Sequence, residues 1–302
     1  MTKSNKMAFA KLHLSIVLAG FTGVFGKLIT LPEGVLVWYR LLFSILFFSV
    51  LLLVTKGSLP KIDKKGFWKV SKVGLFLSLH WLFFYASIKA ANVSVGVICF
   101  SLIGFFTALF EPLLLKRPFS VRELIYSLFV LAGVALIFSL DTRYRLGVSF
   151  GVISSALAAL FTITTKKVTP HYSSKTILYY EMITGFIVIT LLMPIYLYLF
   201  PVDSAFLVPS GLNLVYLLLF ASFCTVGLQY LQIEVLGQIS AFTMNLTYNL
   251  EPIYSILLAM LLFDEAKELN FSFILGVSLI ILSIVLQMRA TIHEMNKEKI
   301  AI

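Results

Sequence analysis

Charged residues are scarce in this chain. Only 13% of its 302 residues are Asp, Glu, Lys or Arg, whereas 60% are hydrophobic. A soluble domain carries about 25% charged residues, because water has to solvate its surface. The low charge density therefore excludes an ordinary soluble domain and indicates that most of the surface faces hydrocarbon, in agreement with the mean hydropathy of +0.98.

Cysteine is almost absent as well. The two cysteines, Cys99 and Cys224, each fall inside an apolar run, so the sequence indicates neither a disulfide framework nor a cysteine metal site. Also missing are a His-Glu-x-x-His motif, paired aspartates in the apolar runs and a Gly-rich phosphate loop before a helix. We therefore expect a protein with no cofactor and no metal that is not an enzyme.

Long apolar runs make up most of the chain. A helix needs about 20 apolar residues to cross a hydrocarbon core of roughly 30 Å, and ten runs have about this length. The predicted fold is an all-α membrane protein with ten transmembrane helices. The predicted spans are 11–30, 34–55, 69–88, 93–115, 121–140, 147–166, 175–199, 211–233, 239–262 and 270–289.

The basic residues predict how these helices are oriented. With a cytoplasmic N-terminus, 18 of the 24 Lys and Arg residues lie on the cytoplasmic side and five lie outside, with Arg40 within a span. This excess satisfies the positive-inside rule and predicts a multi-pass protein of the bacterial inner membrane with both termini in the cytoplasm. Insertion topology and contact with anionic membrane lipid account for the net charge of +10, so no nucleic-acid partner is expected.

The two halves of the chain resemble each other at an offset of about 140 residues. For example, VWYR at 37–40 aligns with LYYE at 178–181. We predict a first repeat over 1–142 and a second over 143–302, with five spans each. Because five is odd, the second repeat enters the membrane from the opposite side, which gives the two inverted five-helix repeats typical of secondary transporters.

The ninth span contains the stretch LEPIYSILLAMLLFDE, which is rich in Leu and small residues. Together with the ten spans and the five-plus-five arrangement, this stretch resembles the drug/metabolite transporter superfamily, EamA-type branch. The residues that match the family helix are Glu251, Pro252, Ser255, Ala259 and Glu265. The resemblance implies an exporter or exchanger of amino acids, nucleotides, sugars or other metabolites.

The first half departs from the family pattern. Gly104 stands where the family usually has Pro, and Lys116-Arg117 replaces the usual Gly-Glu end. The dipeptide Glu111-Pro112 repeats Glu-Pro of the second half but lies further along its own helix, so we do not align the two.

Glu251 is the first candidate for a substrate site. An ionisable group at mid-helix costs roughly 2.5–3.5 kcal/mol on insertion scales, and Glu251 lies about halfway along the ninth span, beside Pro252, which removes a backbone hydrogen bond. Asn245, Tyr248 and Asn249 lie at helical spacings around it. We expect these residues to face a cavity. The alternative is that this face packs on a neighbouring helix and Glu251 makes a structural hydrogen bond.

The third span carries a second candidate group. His80 lies near its middle and is followed by the aromatic residues Trp81 and Tyr85, which predicts an aromatic-lined pocket with one imidazole. Ordinary packing is the alternative, since 28 Phe and 13 Tyr are spread through the chain. The remaining candidates, in spans four and eight, are Ser101, Thr107 and Gln229, with Gln232 in the same span as Gln229.

Four further ionisable residues lie nearer the ends of spans. Arg40 and Glu181 are approximate repeat mates, and we expect each to reach an interface by snorkelling. Glu111 lies close to a basic end, and Glu234 lies at a predicted cytoplasmic boundary. We expect these two carboxylates to form structural or gating ion pairs.

Together these features predict a secondary transporter that works by alternating access and binds a small-molecule metabolite, with export of amino acids as the favoured activity. Glu251 and His80 are candidates for proton coupling, because such groups can take up and release a proton in a cavity; exchange and facilitated diffusion stay open. The alternative function is a membrane-embedded enzyme that acts on a lipid or small amphiphile with His80 and Glu251. We expect a monomer or a weak homodimer.

Overall fold

The computed structural model describes residues 3–55, 57–138, 144–204, 207–209, 211–263 and, further on, 275–276, 278–279, 281–283, 285–286 and 289. Within these residues all regular secondary structure is helical, as predicted. The α-helices are α1 (Lys3–Leu28), α2 (Glu33–Val54), α3 (Lys64–Ala90), α4 (Val93–Phe100), α5 (Ile103–Leu115), α6 (Val121–Phe138), α7 (Arg145–Val168), α8 (Ser174–Leu199), α9 (Leu212–Ala221), α10 (Leu228–Leu236), α11 (Ala241–Tyr248) and α12 (Glu251–Phe263). A π-helix, Ser222–Gly227, joins α9 to α10.

Eight stretches of the described chain are long and apolar enough to cross a membrane. They coincide with predicted spans one to four and six to nine. The fifth predicted span, 121–140, corresponds to α6, which is described up to Phe138. The tenth, 270–289, lies largely outside the described residues, and the residues of it that are described are helical. The count of ten membrane helices therefore stays a prediction.

Polar side chains at the helix starts define where several of these spans begin. Asp63, Asn92, Ser173 and Ser240 each accept a hydrogen bond from the backbone N–H three residues later, at 2.8–3.2 Å. Such a cap satisfies one of the four N–H groups that a helix start leaves without a partner. The caps thus mark the ends of apolar segments that would otherwise have no sharp boundary.

Two of the spans are interrupted near their middle. In the fourth span the helix breaks at Ser101–Leu102, between α4 and α5, and in the ninth it breaks at Asn249–Leu250, between α11 and α12. Pro252 explains the second break, because its ring displaces the carbonyl four residues earlier and it donates no hydrogen bond. The first break contains no proline, and its turn is closed by bonds from Ser101 and Leu102 to the carbonyls three residues earlier.

The helices of the two halves interlock. The helix α3 packs along α7 and α8, and α1 packs along α10 and α12. Each of these contacts has a counterpart in which the two halves are interchanged. The packing of α1 on α10 corresponds to the packing of α7 on α3, and the packing of α1 on α12 corresponds to the packing of α7 on α4 and α5. This pattern is consistent with a two-fold relation between the halves, and the inverted orientation of the second half stays a prediction.

Glycine allows the closest of these crossings. A β-carbon at Gly74 of α3 would overlap the Thr184 hydroxyl of α8, and one at Gly151 of α7 would overlap Cys99 of α4. Small residues at such points let helix backbones approach closely in a membrane, where van der Waals packing replaces the hydrophobic effect. The crossings hold the central helices around the space described next.

Candidate substrate-binding cavity

A polar cavity lies where α1, α2, α3, α7, α10, α11 and α12 meet. Both halves of the chain contribute side chains to it. The polar and aromatic-polar lining consists of Thr22, Arg40, His80, Trp81 and Tyr85 from the first half and Thr162, Gln229, Gln232, Asn245, Tyr248 and Glu251 from the second. Apolar side chains, among them Phe84, Phe100 and Phe161, complete the walls.

The cavity is narrow in this conformation. The cavity volume is about 50 Å³. A single water molecule needs roughly 10–15 Å³. The cavity therefore has room for a few waters and is much smaller than the roughly 300 Å³ or more of a typical ligand pocket. A bound metabolite therefore requires the surrounding helices to separate.

Seven of the ten candidate residues line this cavity, namely Glu251, Asn245, Tyr248, His80, Trp81, Tyr85 and Gln229. The other three are buried but do not line it. Thr107 accepts a hydrogen bond of 2.8 Å from the Asn245 amide and so supports a lining residue. Ser101 and Asn249 lie at the two helix breaks, and Asn249 faces Gly104 across the crossing. Binding of substrate by any of the ten stays a prediction.

Glu251 is the first residue of α12, directly after the helix break, and only 4% of it is exposed. Its carboxyl group forms no hydrogen bond or ion pair with any residue that the structure describes. The neighbouring Tyr248 hydroxyl donates instead to Ser15 of α1 at 2.9 Å. Glu251 therefore stands in the cavity wall without a fixed partner.

His80 is held by α7 of the other half. Its Nδ1 lies 2.8 Å from the Ser154 hydroxyl and 3.1 Å from the Ser154 carbonyl, and that hydroxyl donates to the His80 carbonyl at 3.1 Å. Because the hydroxyl proton is used in this way, Nδ1 carries the ring proton and donates to Ser154. Nε2 is left as an acceptor with no partner among the described residues.

Arg40 does not snorkel, so the sequence-based expectation for it was wrong. The side chain is 1% exposed and lines the cavity. Its guanidinium donates to the Thr225 hydroxyl at 2.8 Å, to the Tyr85 hydroxyl at 2.7 Å and to the Cys224 carbonyl at 3.1 Å. Trp81 and Phe220 stack on it, with ring centroids 3.5 and 4.1 Å from Cζ. An inward-facing position thus replaces the expected interfacial one.

The sequence did contain a signal for Arg40. It is the basic residue assigned to the interior of a predicted span, and intramembrane charges mark functional sites. Arg40 lies about two turns into α2, and from this depth we expected its side chain to extend to the membrane interface. It lies, however, on the face of α2 that points towards the cavity. Its acceptors, Thr225 and Cys224, lie in the π-helix, where the shifted hydrogen-bond pattern leaves a backbone carbonyl for a side chain.

Three side-chain amides on the second-half wall have unused hydrogen-bonding capacity. The side-chain oxygens of Gln229, Gln232 and Asn245 are buried and have no hydrogen-bond partner in the part of the chain that the structure describes. Buried polar groups in proteins are almost always satisfied, so three such groups in one cavity indicate a place for polar ligand atoms or water.

The model of the EamA-like transporter family matches the chain twice, over residues 8–139 and 145–289. The chain belongs to this family. The predicted resemblance is thereby confirmed, and this EamA-like transporter is a multi-pass membrane protein that moves small molecules. No curated protein matches the chain.

Solved structures give the same architecture for this EamA-like chain. One, described only as "Crystal structure of protein", has a TM-score of 0.67 and 14% identity, and the match covers 92% of this chain and 96% of that one. At this identity the likeness concerns the fold alone. It agrees with a single arrangement of helices over nearly the whole length of the EamA-like chain.

Glu181 is also not at an interface, contrary to expectation. It is fully buried in α8, outside the cavity lining, and neither carboxyl oxygen has a hydrogen-bond partner among the described residues. The close crossing of α3 and α8 at Gly74 encloses it, because the Glu181 carbonyl lies at that contact. The repeat mates Arg40 and Glu181 thus differ. Hydrogen-bond acceptors and aromatic rings enclose the Arg40 guanidinium, whereas no described residue donates a hydrogen bond to the Glu181 carboxyl group.

Glu111 and Glu234 form the ion pairs that the sequence predicted. Arg117 donates to Glu111 at 3.2 Å and to Glu123 at 2.7 Å. Glu111 also accepts from the backbone N–H of Phe242 at the start of α11, at 3.1 Å. Whether these contacts act as gates in this EamA-like transporter stays a prediction.

Glu234 pairs with Lys11 at 2.5 Å. This second pair joins α10 to the first turns of α1, and so links the two halves of the chain. It lies at the same end of the bundle as Lys166, which donates to the Leu236 carbonyl at 2.6 Å.

Proposed function

We propose that this EamA-like chain is a secondary transporter that exports amino acids or related small metabolites by alternating access. The observation that carries the proposal is the cavity between the two halves, to which both contribute polar side chains in the middle of apolar spans. Intramembrane polar groups of this kind are retained where a substrate pathway needs them.

Alternating access is supported by how the halves meet. The cavity is too narrow for a metabolite in the present conformation, and it lies between helices that interlock through corresponding contacts in each half. If the second half is inverted, as we propose, the same motion that closes one end opens the other. The interrupted spans supply helix ends at the level of the cavity.

Proton coupling through Glu251 or His80 is part of the proposal. Both residues line the cavity, and each has an acceptor atom that no described residue occupies. A titratable group in such a position can exchange its proton with either side only when the cavity opens there. Coupling then follows from the same motion that moves the substrate.

The orientation is also proposed. We place both termini on the cytoplasmic side of a bacterial inner membrane, on the strength of the 18 basic residues assigned to that side. Protease accessibility of an N-terminal tag in right-side-out and inverted vesicles tests this placement.

The alternative of a membrane-embedded enzyme gains no support from the geometry. Residues 147–151 match the motif Gly-x-Ser-x-Gly, which is typical of a nucleophile elbow. However, Ser149 lies exposed on the first turns of α7, where its hydroxyl donates to the Arg145 carbonyl at 2.9 Å. His80 and Glu251 line a cavity to which Ser149 does not contribute.

Efflux from proteoliposomes tests the proposal. Vesicles loaded with a mixture of amino acids should lose specific members faster than vesicles without protein, and an imposed pH gradient should change the initial rate. Glu251→Gln should lose the effect of the gradient, whereas Asp203→Asn, a carboxylate in the exposed loop after α8, should keep it. If Glu251→Gln exports normally at every pH, Glu251 has no essential charged role.

A further inference from the structure

Arg40 carries a positive charge that no described carboxylate neutralises. Three of its five N–H groups donate to neutral acceptors, and the structure gives it no ion pair. A guanidinium in a low-dielectric interior needs a counter-charge or dense hydrogen bonding, and its planar fork matches a carboxylate in a bidentate geometry. The two remaining N–H groups in the cavity wall therefore favour an anionic oxygen ligand.

The part of the cavity wall formed by α10, α11 and α12 has the opposite chemistry. No residue that the structure describes pairs with the Glu251 carboxyl group or donates to the buried side-chain oxygens of Gln229, Gln232 and Asn245. Leaving such acceptors unpaired is unfavourable. All four come from α10, α11 and α12, so this wall favours a ligand group with several N–H donors, such as an ammonium.

The two walls belong to one small space. Tyr85 accepts a hydrogen bond from Arg40, and Tyr85, Arg40 and Glu251 all line the same cavity. Arg40 and Glu251 are nevertheless not paired with each other. Trp81, Phe84 and Phe100 line the same cavity and offer an apolar surface in addition to the two polar walls.

We infer that the cavity binds the zwitterionic backbone of an α-amino acid, with the carboxylate on Arg40 and the ammonium on Glu251 and the three amides. This inference rests on the proposed transport function and adds the binding mode. Such a molecule supplies one anionic and one donor-rich group a few ångströms apart, and it neutralises both walls at once. The aromatic side chains of the cavity receive the amino-acid side chain.

Trp81 provides a direct readout of binding, because its ring stacks on the Arg40 guanidinium. The chain has three tryptophans, and Trp38 and Trp68 are outside the cavity lining. A Trp38→Phe/Trp68→Phe variant of the full chain therefore reports on Trp81 alone. The probes are L-leucine and L-phenylalanine, each as the free amino acid, the methyl ester and the N-acetyl derivative.

Each derivative removes one charged group. The ester lacks the carboxylate and the N-acetyl form lacks the ammonium. We expect at least one free amino acid to change Trp81 emission in a saturable way, and both of its derivatives to bind about tenfold or more weakly, since each loses charge-assisted hydrogen bonds. An ester or an N-acetyl form that binds as tightly as the free amino acid overturns the inference.

Variants assign the two ends of the ligand. Arg40→Gln should bind the free amino acid and the ester equally weakly, while Glu251→Gln, which keeps the three amides, should favour the free amino acid over the N-acetyl form by a smaller factor. The matched controls are Arg145→Gln, at the exposed start of α7, and Asp203→Asn, both of which should keep the full discrimination. If Arg40→Gln fails to fold, the comparison of free amino acid, ester and N-acetyl form on the Trp38→Phe/Trp68→Phe variant still tests the binding mode.

The outcome separates the binding mode from the transport function. If no form of either amino acid affects Trp81 while proteoliposomes still export another solute, the zwitterion mode is wrong and transport stands. If amino acids bind as predicted but no solute crosses the vesicle membrane, the binding mode stands and the transport proposal fails.

Discussion

The two ends of the helix bundle are joined by different chemistry. Roughly 26 Å of helix separates Lys11 from the end of α1 at Leu28. At the Lys11 end, the contacts among the described residues include the ion pairs of Lys11 with Glu234 and of Arg117 with Glu111 and Glu123, beside a hydrogen bond from Lys166 to the Leu236 carbonyl. At the other end, which we call the neutral end, the described contacts include the neutral hydrogen bonds of Thr30 with Asn213 and of Trp38 with Thr190. They also include a hydrogen bond from Lys89 to the Ile29 carbonyl and the contact of Lys27 with the Phe263 ring.

This difference matters for a protein whose two ends are proposed to open in turn. Hydrogen bonds to charged groups contribute about 1.5–3 kcal/mol, against about 0.5–1.5 kcal/mol for neutral ones. We therefore expect the ionic end to resist separation more strongly, so that the conformation described here is the one closed at that end. The predictions below test this expectation in order of decreasing effect.

Removal of Glu111 should have the largest effect. Its carboxylate is buried and accepts from both Arg117 and the Phe242 backbone, so Glu111→Ala leaves the Phe242 N–H without its acceptor and removes one of the two carboxylates that Arg117 pairs with. We expect a loss of about 2–3 kcal/mol in the free energy of unfolding, measured by detergent titration of purified protein. Glu111→Gln, which keeps an acceptor for Phe242, should lose less, and an equal loss would show that charge alone matters.

Glu181 should respond in the opposite direction. It lies about two turns into α8 and has no partner among the residues that the structure describes, so Glu181→Met replaces a carboxyl group without a described partner by an apolar side chain of similar size. We expect stability to rise by about 1–2 kcal/mol, visible as a higher transition temperature. Glu181→Gln keeps an unsatisfied polar group and should gain less. A Met variant that is less stable than the native chain would indicate a partner for Glu181.

The Lys11–Glu234 pair should contribute less, because both side chains are partly exposed. Lys11→Met should cost about 0.5–1 kcal/mol, and a double-mutant cycle with Glu234→Gln isolates the pair. Added salt should reduce the coupling, since exposed charges are screened. A coupling that is independent of ionic strength would contradict a solvent-exposed pair.

The smallest effect is expected at the neutral end. Asn213 and Thr30 exchange two hydrogen bonds of 3.0 Å in an exposed position, where water replaces a lost partner. Asn213→Ala should therefore change the free energy of unfolding by less than about 0.5 kcal/mol. A loss as large as that of Glu111→Ala would remove the contrast between the two ends.

The sequence predicted the spans well because apolar length is a local property. Eight of its ten runs have counterparts long enough to cross a membrane. Depth along a helix is also local, but the direction in which a side chain points is not. Arg40 and Glu181 were assigned to interfaces by depth, whereas contacts with π-helix residues for Arg40 and with α3 for Glu181 fix them inside.

The candidate site shows a similar limit. Asn245, Tyr248 and Glu251 were placed on one helical face, and all three line the cavity. Asn249 was placed beside them, but the break at Asn249–Leu250 interrupts the regular spacing, and its side chain lies at the crossing with Gly104 instead. Proline predicts that a break occurs and gives its position only to within a turn.

The π-helix between α9 and α10 has a consequence for insertions and deletions. A π-helical turn holds about one residue more than an α-helical turn, so deleting one residue within 222–227 would leave an ordinary α-helix whose flanking parts keep their present faces. Gln229 and Gln232 would then stay in the cavity wall, and the change would fall on Thr225 and Cys224, which accept hydrogen bonds from Arg40. A one-residue deletion within α9 or α10 would instead rotate everything beyond it by about 100°, so the effect of a deletion in this span depends on whether it falls inside the π-helix.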